Sequence, residues 1–166
     1  MKKITLFILL FVAACSIYPA TAKQAKKPAK PQEIIAVGIH RTVCFGKCPD
    51  YKIEINKDGT ATYTAIRFTE DTGIFKKNIG KNKAKEIIAL CVKYRIDTCR
   101  EMYENRIPDL PGLNFTINYG TRKKAIFSAN FGPDFLTEIA KAIDEAGQKT
   151  DANNTGWKKT GMPKID

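Results

Sequence analysis

Tyr51, Ile53 and Ile55 alternate with Lys52, Glu54 and Asn56, and no other stretch constrains the chain so tightly. Successive side chains of a strand point to opposite faces, so this period of two demands a strand with one buried and one wet face. Asn56-Lys57-Asp58-Gly59 follows directly. Gly59 can take the left-handed position of a tight turn, so Thr60 to Phe68, rich in threonine and aromatics, must return as the hairpin partner. Ile34 to Ile39 is a short apolar run that reads as a further strand, and Gly73 to Ile79 reads as an optional fourth.

The period then changes. Ala84, Ile87, Ile88, Cys91 and Arg95 fall at helical spacing, which predicts a helix over 82–95 with Asn82 as its N-cap. Asp97 can begin a second short helical turn that carries Cys99. Residues 105–112, with Pro108, Pro111 and Gly112, read as a loop. Phe115, Ile117 and Tyr119 alternate again, Gly120 turns the chain, and Ala125 to Phe127 returns as a second hairpin. Pro133 sits in the first turn of a last helix whose inner stripe is Phe135, Leu136, Ile139 and Ile143 and which Gly147 closes. The expected fold is therefore α+β and two-layered. Its sheet is mostly antiparallel, of about five to six strands in the order βββ(β)–α–ββ–α, with two helices on one face.

Ahead of this domain, Met1-Lys2-Lys3 and the uncharged run Ile4 to Ala14 match the basic and apolar regions of a secretory signal peptide, and the run is too short to span a bilayer. Two cleavage sites compete. Ala20-Thr21-Ala22 would make 1–22 the leader and free a chain starting at Lys23. Val12-Ala13-Ala14-Cys15 resembles a lipobox, which would make 1–14 the leader and leave Cys15 as a lipidated first residue. Residues 23–32, KQAKKPAKPQ, read as a basic Pro/Lys linker, 33–147 as the single α+β domain, and 148–166 as a polar, poorly ordered tail in which Trp157 stands alone. Removing Lys2 and Lys3 with the leader lowers the net charge from +11 to +9. Export argues against nucleic acid as the partner of so basic a chain. It points instead to anionic phospholipid, lipopolysaccharide phosphate or another envelope polyanion, if the lysines do more than keep the surface soluble.

Five cysteines are present. Without Cys15 they leave Cys44, Cys48, Cys91 and Cys99, an even set that in an oxidising compartment favours two disulfides. Three pairings are open, and the local one, Cys44–Cys48 with Cys91–Cys99, is favoured. The first bridge would close around Phe45-Gly46-Lys47, with Pro49 stiffening the exit. The densest stretch of chemistry, His40 to Tyr51, reads either as a pinned connection between strands or as a ligand loop that offers Arg41, Phe45, Lys47 and Tyr51 to an anion or glycan. A metal site is not expected. His40, Cys44 and Cys48 are spaced for a helix that Gly46 and Pro49 oppose, and Cys91-x7-Cys99 is a poor second ligand pair. Cys-x3-Cys in a hairpin setting also lacks the strand-to-helix turn that lowers a thiol pKa. His40 is the only histidine, Ser128 is the only serine beyond the leader, and no nucleophile elbow or phosphate-cradling loop occurs. Glu104 and Asp109 could face each other across the loop, but spacing alone does not set them apart from surface acids.

The run Arg41-Thr42-x-Cys44-Phe45-Gly46-x-Cys48-Pro49-x-Tyr51, a strand, and then Asp58-Gly59 resembles a family of bacterial exported proteins and lipoproteins known as domain of unknown function 6438. Tyr103, Asp109, Gly120 and Pro133 look like later landmarks of the same family, so the resemblance covers roughly residues 33–146. Asp50 stands where the family tends to be apolar, and Cys91 and Cys99 match no landmark. The resemblance implies fold and export and supplies no activity. It adds Gly46, Pro49, Tyr103 and Asp109 to the residues that serve a site or the fold. The expected role is a non-catalytic binding or interaction module of the cell envelope, periplasmic or lipid-anchored, without a cofactor. Two alternatives stand beside it. One is an exported enzyme or thiol-redox protein using the Cys44–Cys48 loop. The other is an electrostatic tether acting through Lys23, Lys26, Lys27 and Lys30 on an anionic membrane or polymer.

Overall fold

The computed structural model describes residues 32–104 and 109–164. The leader, Cys15, linker residues 23–31 and loop residues 105–108 lie outside the described residues. The alternating stretches form strands β1 (Ala36–Arg41), β2 (Asp50–Asn56), β3 (Thr60–Arg67) and β4 (Gly73–Asn78). Helix α1 (Lys81–Lys93) follows, then a single helical turn over Ile96–Thr98. Strands β5 (Leu113–Asn118) and β6 (Lys123–Ile126), helix α2 (Asp134–Gly147) and strand β7 (Lys158–Gly161) complete the order. All seven strands join one sheet, β6-β5-β1-β2-β3-β4-β7, and every neighbouring pair is antiparallel. The α+β class and the helices on one face are as the pattern requires.

Register follows burial. Val37, Ile39, Ile53, Ile55, Ala61, Tyr63, Ala65, Phe115 and Ile117 line one face, and the helices cover it. Helix α2 buries Leu136, Ile139, Ala140 and Ile143 across β1–β3, and α1 packs beside it through Ala84, Ile87 and Cys91. Burial of this stripe, not intrinsic propensity, is the main support of a helix this short. Gly147 lets the end of α2 lie directly on the sheet, since a Cβ there would collide with Ile53. The other face of the sheet carries the polar partners of each strand, and no described helix covers it.

Four expectations are corrected. Helix α1 starts one residue early, with Gly80 at the N-cap position, so Asn82 lies inside the first turn. Arg95 lies past the helix end in a left-handed conformation. The Cys91–Cys99 bridge is not formed, and both thiols are free and buried. The left-handed turn at Arg95 swings Ile96 into the core, and that apolar contact ties down the helix exit where a sulfur bridge was expected. Residues 148–164 are not merely a tail outside the domain. They contain a helical turn at Asp151–Asn153 and then β7, which pairs with β4 as an edge strand. Trp157 packs beside Tyr63, ring centroids 6.1 Å apart. The tail's polar, glycine-bearing sequence hides this because an edge strand needs only backbone partners on one side.

Candidate functional site: the disulfide loop and its end of the sheet

β1 and β2 pair in register from Ala36↔Asn56 to Arg41↔Tyr51, so the 42–49 connection leaves the same end of the sheet as the 68–72 and 109–112 connections. Cys44 and Cys48 are joined, with Cα atoms 5.5 Å apart, as the local pairing expected. The Gly46 N–H donates to Cys44 Sγ at 3.3 Å, and the Phe45 N–H donates to the Asp109 carbonyl at 3.4 Å. Thr42 and Gly112 clasp the two loops: the Thr42 N–H donates to the Gly112 carbonyl at 3.0 Å, and the Gly112 N–H returns to Thr42 Oγ1 at 2.9 Å. The loop is closed covalently and clamped laterally. Its tip nevertheless holds Phe45 at 90% exposure, beside exposed Lys47. Leu110 and Phe68, 44% and 51% exposed, stand on the neighbouring loops of this end.

The strand ends beneath are fixed by charge. His40 and Arg41 are adjacent and therefore face opposite sides of the sheet. On the helix side, Arg41 Nη2 and Nε donate to Asp144 Oδ2 of α2 at 2.7 and 3.0 Å, and the Tyr51 hydroxyl donates to Asp144 Oδ1 at 2.9 Å. Burial raises the Tyr51 phenol above its ordinary pKa, and the Asp144 carboxylate raises it further. Burial opposes the Arg41 charge, but Asp144 outweighs it, and the guanidinium pKa is raised. Tyr63, 5.5 Å from Tyr51 between ring centroids, is pushed up to about 12, chiefly by burial. On the other side, buried Asp50 accepts Arg67 Nη2 at 3.2 Å and bonds His40 Nε2 at 2.9 Å.

The expected residues are thus sorted into separate roles. Phe45 and Lys47 are presented outward. Arg41 and Tyr51 instead form a brace to α2. Asp109 contributes its backbone carbonyl to the loop clamp from a left-handed conformation. Tyr103 lies apart, joined to Phe127 by its backbone, with its hydroxyl at the Cys99 thiol. Burial is the main reason its pKa is raised. Sequence reasoning missed Asp144, Arg67 and Phe68. Asp144 carried one usable signal, since it is the residue after Ile143 on a helix otherwise read by its apolar stripe. Asp50 is buried, and its two carboxylate oxygens are met by the His40 imidazole and the Arg67 guanidinium.

Among the described residues no group of three or more metal-ligating side chains converges. No hydrogen bond joins His40 to Ser128 or to a thiol. Ser128 donates its N–H to Asn114 Oδ1 at 3.0 Å. An open cleft of about 270 Å³ lies beside the brace, lined by Lys141, Asp144, Glu145, Gln148, Thr150 and Asn153. Its one side chain shared with the brace, Asp144, is already taken by Arg41 and Tyr51.

This is a two-layer α+β domain in which a disulfide-closed loop is held at one end of an open antiparallel sheet. The chain belongs to the family described as domain of unknown function DUF6438, whose model matches residues 35–147. No curated protein matches the chain as a relative.

Proposed function

We propose that this chain is an exported, non-catalytic binding module whose ligand contacts the loop end around Phe45. One observation carries the reading: a phenylalanine 90% exposed at the tip of a loop that a disulfide and two backbone clamps hold still. Exposing a large aromatic forgoes its burial, roughly 1.5–3 kcal/mol for a side chain of this size, and a rigid loop loses little entropy when a partner covers it. The titratable groups nearest the loop, His40, Arg41 and Asp50, are committed to one another or to α2, which disfavours acid–base chemistry. Export is supported by the apolar leader over 1–22 and by a disulfide, which persists where thiols are not kept reduced.

Intact-mass analysis of cell fractions tests location. The reading expects a chain beginning at Lys23, or a lipidated Cys15, carrying one oxidised pair. Full-length protein in the cytosol with every thiol reduced would remove export. Cosedimentation with envelopes isolated from the producing cells tests the site. Phe45→Ala should weaken saturable binding by tenfold or more, as a central aromatic anchor does, and unchanged binding would exclude the loop.

A thiol-redox role is the second reading. It is favoured by the Gly46 N–H aimed at Cys44 Sγ in an exposed loop. The reduction potential of the Cys44–Cys48 pair separates the two, since a value in the oxidoreductase range favours redox work and one below about −300 mV marks a structural bond.

A further inference from the structure

The uncovered face of the sheet carries a second surface. β2, β3, β4 and β7 place Glu54, Thr62, Lys76 and Lys158 in one cross-strand row, with Lys52, Thr64 and half-buried Ile74 in the next. Lys76 and Lys158 are direct partners in the β4–β7 ladder. Like charges set opposite each other destabilise a strand pair, and no described carboxylate relieves them. Among the described residues, Lys52, Lys76 and Lys158 take part in no ion pair, hydrogen bond or ring contact, and the Thr62 and Thr64 hydroxyls have no protein partner. Glu54 is the one free acid among these strands. Asp50, its neighbour on β2, is held by His40 and Arg67.

We propose that this face binds an anionic polysaccharide laid across the strands, its acidic groups meeting Lys52, Lys76 and Lys158 and its hydroxyls meeting Thr62 and Thr64. Charge complementarity selects an anion. Spacing selects a polymer: neighbouring strands are about 4.8 Å apart, so Lys52 on β2 and Lys158 on β7 stand roughly 15 Å apart, beyond the reach of one small anion. The side chains on the face select a glycan. Among the described residues of the face no Phe, Tyr or Trp stands ready to stack a nucleic-acid base. The large exposed apolar side chains, Phe45, Phe68, Val92, Met102, Leu110, Phe127 and Met162, belong to loops, α1 and the strand flanks, and the face's own Ile66 and Ile74 are half-buried, so the face offers no exposed apolar anchor to a bilayer. The surface is distinct from the Phe45 loop, and the inference does not depend on export.

The full chain is titrated with dextran sulfate by fluorescence anisotropy at several salt concentrations. Lys76→Gln/Lys158→Gln is compared with Lys81→Gln/Lys85→Gln on α1, which carries the same net charge. The sheet variant should bind roughly three- to tenfold more weakly than the α1 control and show a shallower salt dependence. Lys158→Glu, without polymer, should raise the melting temperature by relieving the strand pair. Equal loss in both double variants would reduce the effect to overall charge and overturn the proposal. So would wild-type binding to an oligothymidylate or to phosphatidylglycerol vesicles as tight as to dextran sulfate. A further contrary result is no binding to dextran sulfate at low salt by protein that circular dichroism shows to be folded.

Discussion

The two ends of the sheet are built by different means. At the end where β2 turns into β3, β4 into α1 and β5 into β6, each turn is closed by a side chain two residues away, although Gln32 also reaches Thr121 and Arg122 there. The Thr60 N–H donates to Asp58 Oδ1 at 2.8 Å, Gly80 to Asn78 Oδ1 at 2.8 Å and Gly120 to Asn118 Oδ1 at 2.9 Å. These are three turns of one type, an Asn or Asp side chain accepting from the backbone two residues on, and the left-handed positions fall on Gly59, Gly80 and Gly120. At the other end the ties join residues far apart in sequence: Arg41 with Asp144, Tyr51 with Asp144, Lys149 with Asp71. There the left-handed conformation falls on Phe68, Asp109 and Ser128, residues for which it is costly. The turn end closes its turns locally and adds backbone ties such as Ile79 N–H to the Gly59 carbonyl. The loop end holds strained, exposed and charged groups in place by tertiary contacts, the usual condition of a surface kept for recognition.

The contrast can be broken by mutation. Asp144→Ala at the loop end should cost most, roughly 2–4 kcal/mol, because it leaves the Arg41 charge and the Tyr51 hydroxyl partly buried without their acceptor. Urea denaturation followed by far-UV circular dichroism measures it, and a loss under about 1 kcal/mol would mean the brace is ornamental. Gly59→Ala at the turn end should cost about 1–3 kcal/mol, since Gly59 sits at φ 93° and an added Cβ would lie 2.6 Å from the Gly80 carbonyl carbon. Joined to Asp144→Ala, it should be additive, because the ends share no contact. Cys44→Ser/Cys48→Ser should cost about 2 kcal/mol by loop entropy and lower ligand affinity by more than that loss predicts. Phe45→Ala should change stability by less than about 0.5 kcal/mol while weakening binding, and a large destabilisation would make Phe45 a packing residue.

A pH titration sharpens the comparison on a different axis. Burial pushes the Cys91 thiol up from 9.0 to about 12 and Tyr63 up from 10.0 to about 12. A raised folded-state pKa gives stability that is complete below the unfolded value and lost as pH rises toward the folded one. Urea midpoints should therefore fall from about pH 9 upward, and Cys91→Ala should delay the onset toward pH 10. Asp71 has the opposite sign. Its hydrogen bond from Lys149 lowers its pKa, so the contribution of that contact is present at neutral pH and fades as pH falls below about 4. Asp71→Asn should lessen the acid limb, to which Asp58 also contributes through its bond from the Thr60 N–H, and leave the alkaline one unchanged.

Sequence alone went far at the turn end. Asn56 to Gly59 and Gly120 were legible as turns, and the alternation of Tyr51, Ile53 and Ile55 placed the buried face, because those signals lie within a few residues of what they specify. The Cys44–Cys48 bridge was legible for the same reason. The Cys91–Cys99 bridge is not formed, since proximity in sequence says nothing of the left-handed turn at Arg95 that directs Ile96 into the core. The sequence offers Arg41 and Tyr51 as residues of a ligand loop, and only the fold brings both onto Asp144.

What the amino-acid order determined by itself was periodicity and turn chemistry: which faces are apolar, where strands reverse and where helices run. Tertiary structure alone decided that a helix carboxylate 103 positions from Arg41 would brace it, that Asp50 would be buried between His40 and Arg67, and that β7 would set Lys158 against Lys76. The reason is physical. Local patterns are enforced by backbone geometry and burial, whereas a pairing of distant charges exists only after the sheet has closed the distance between them.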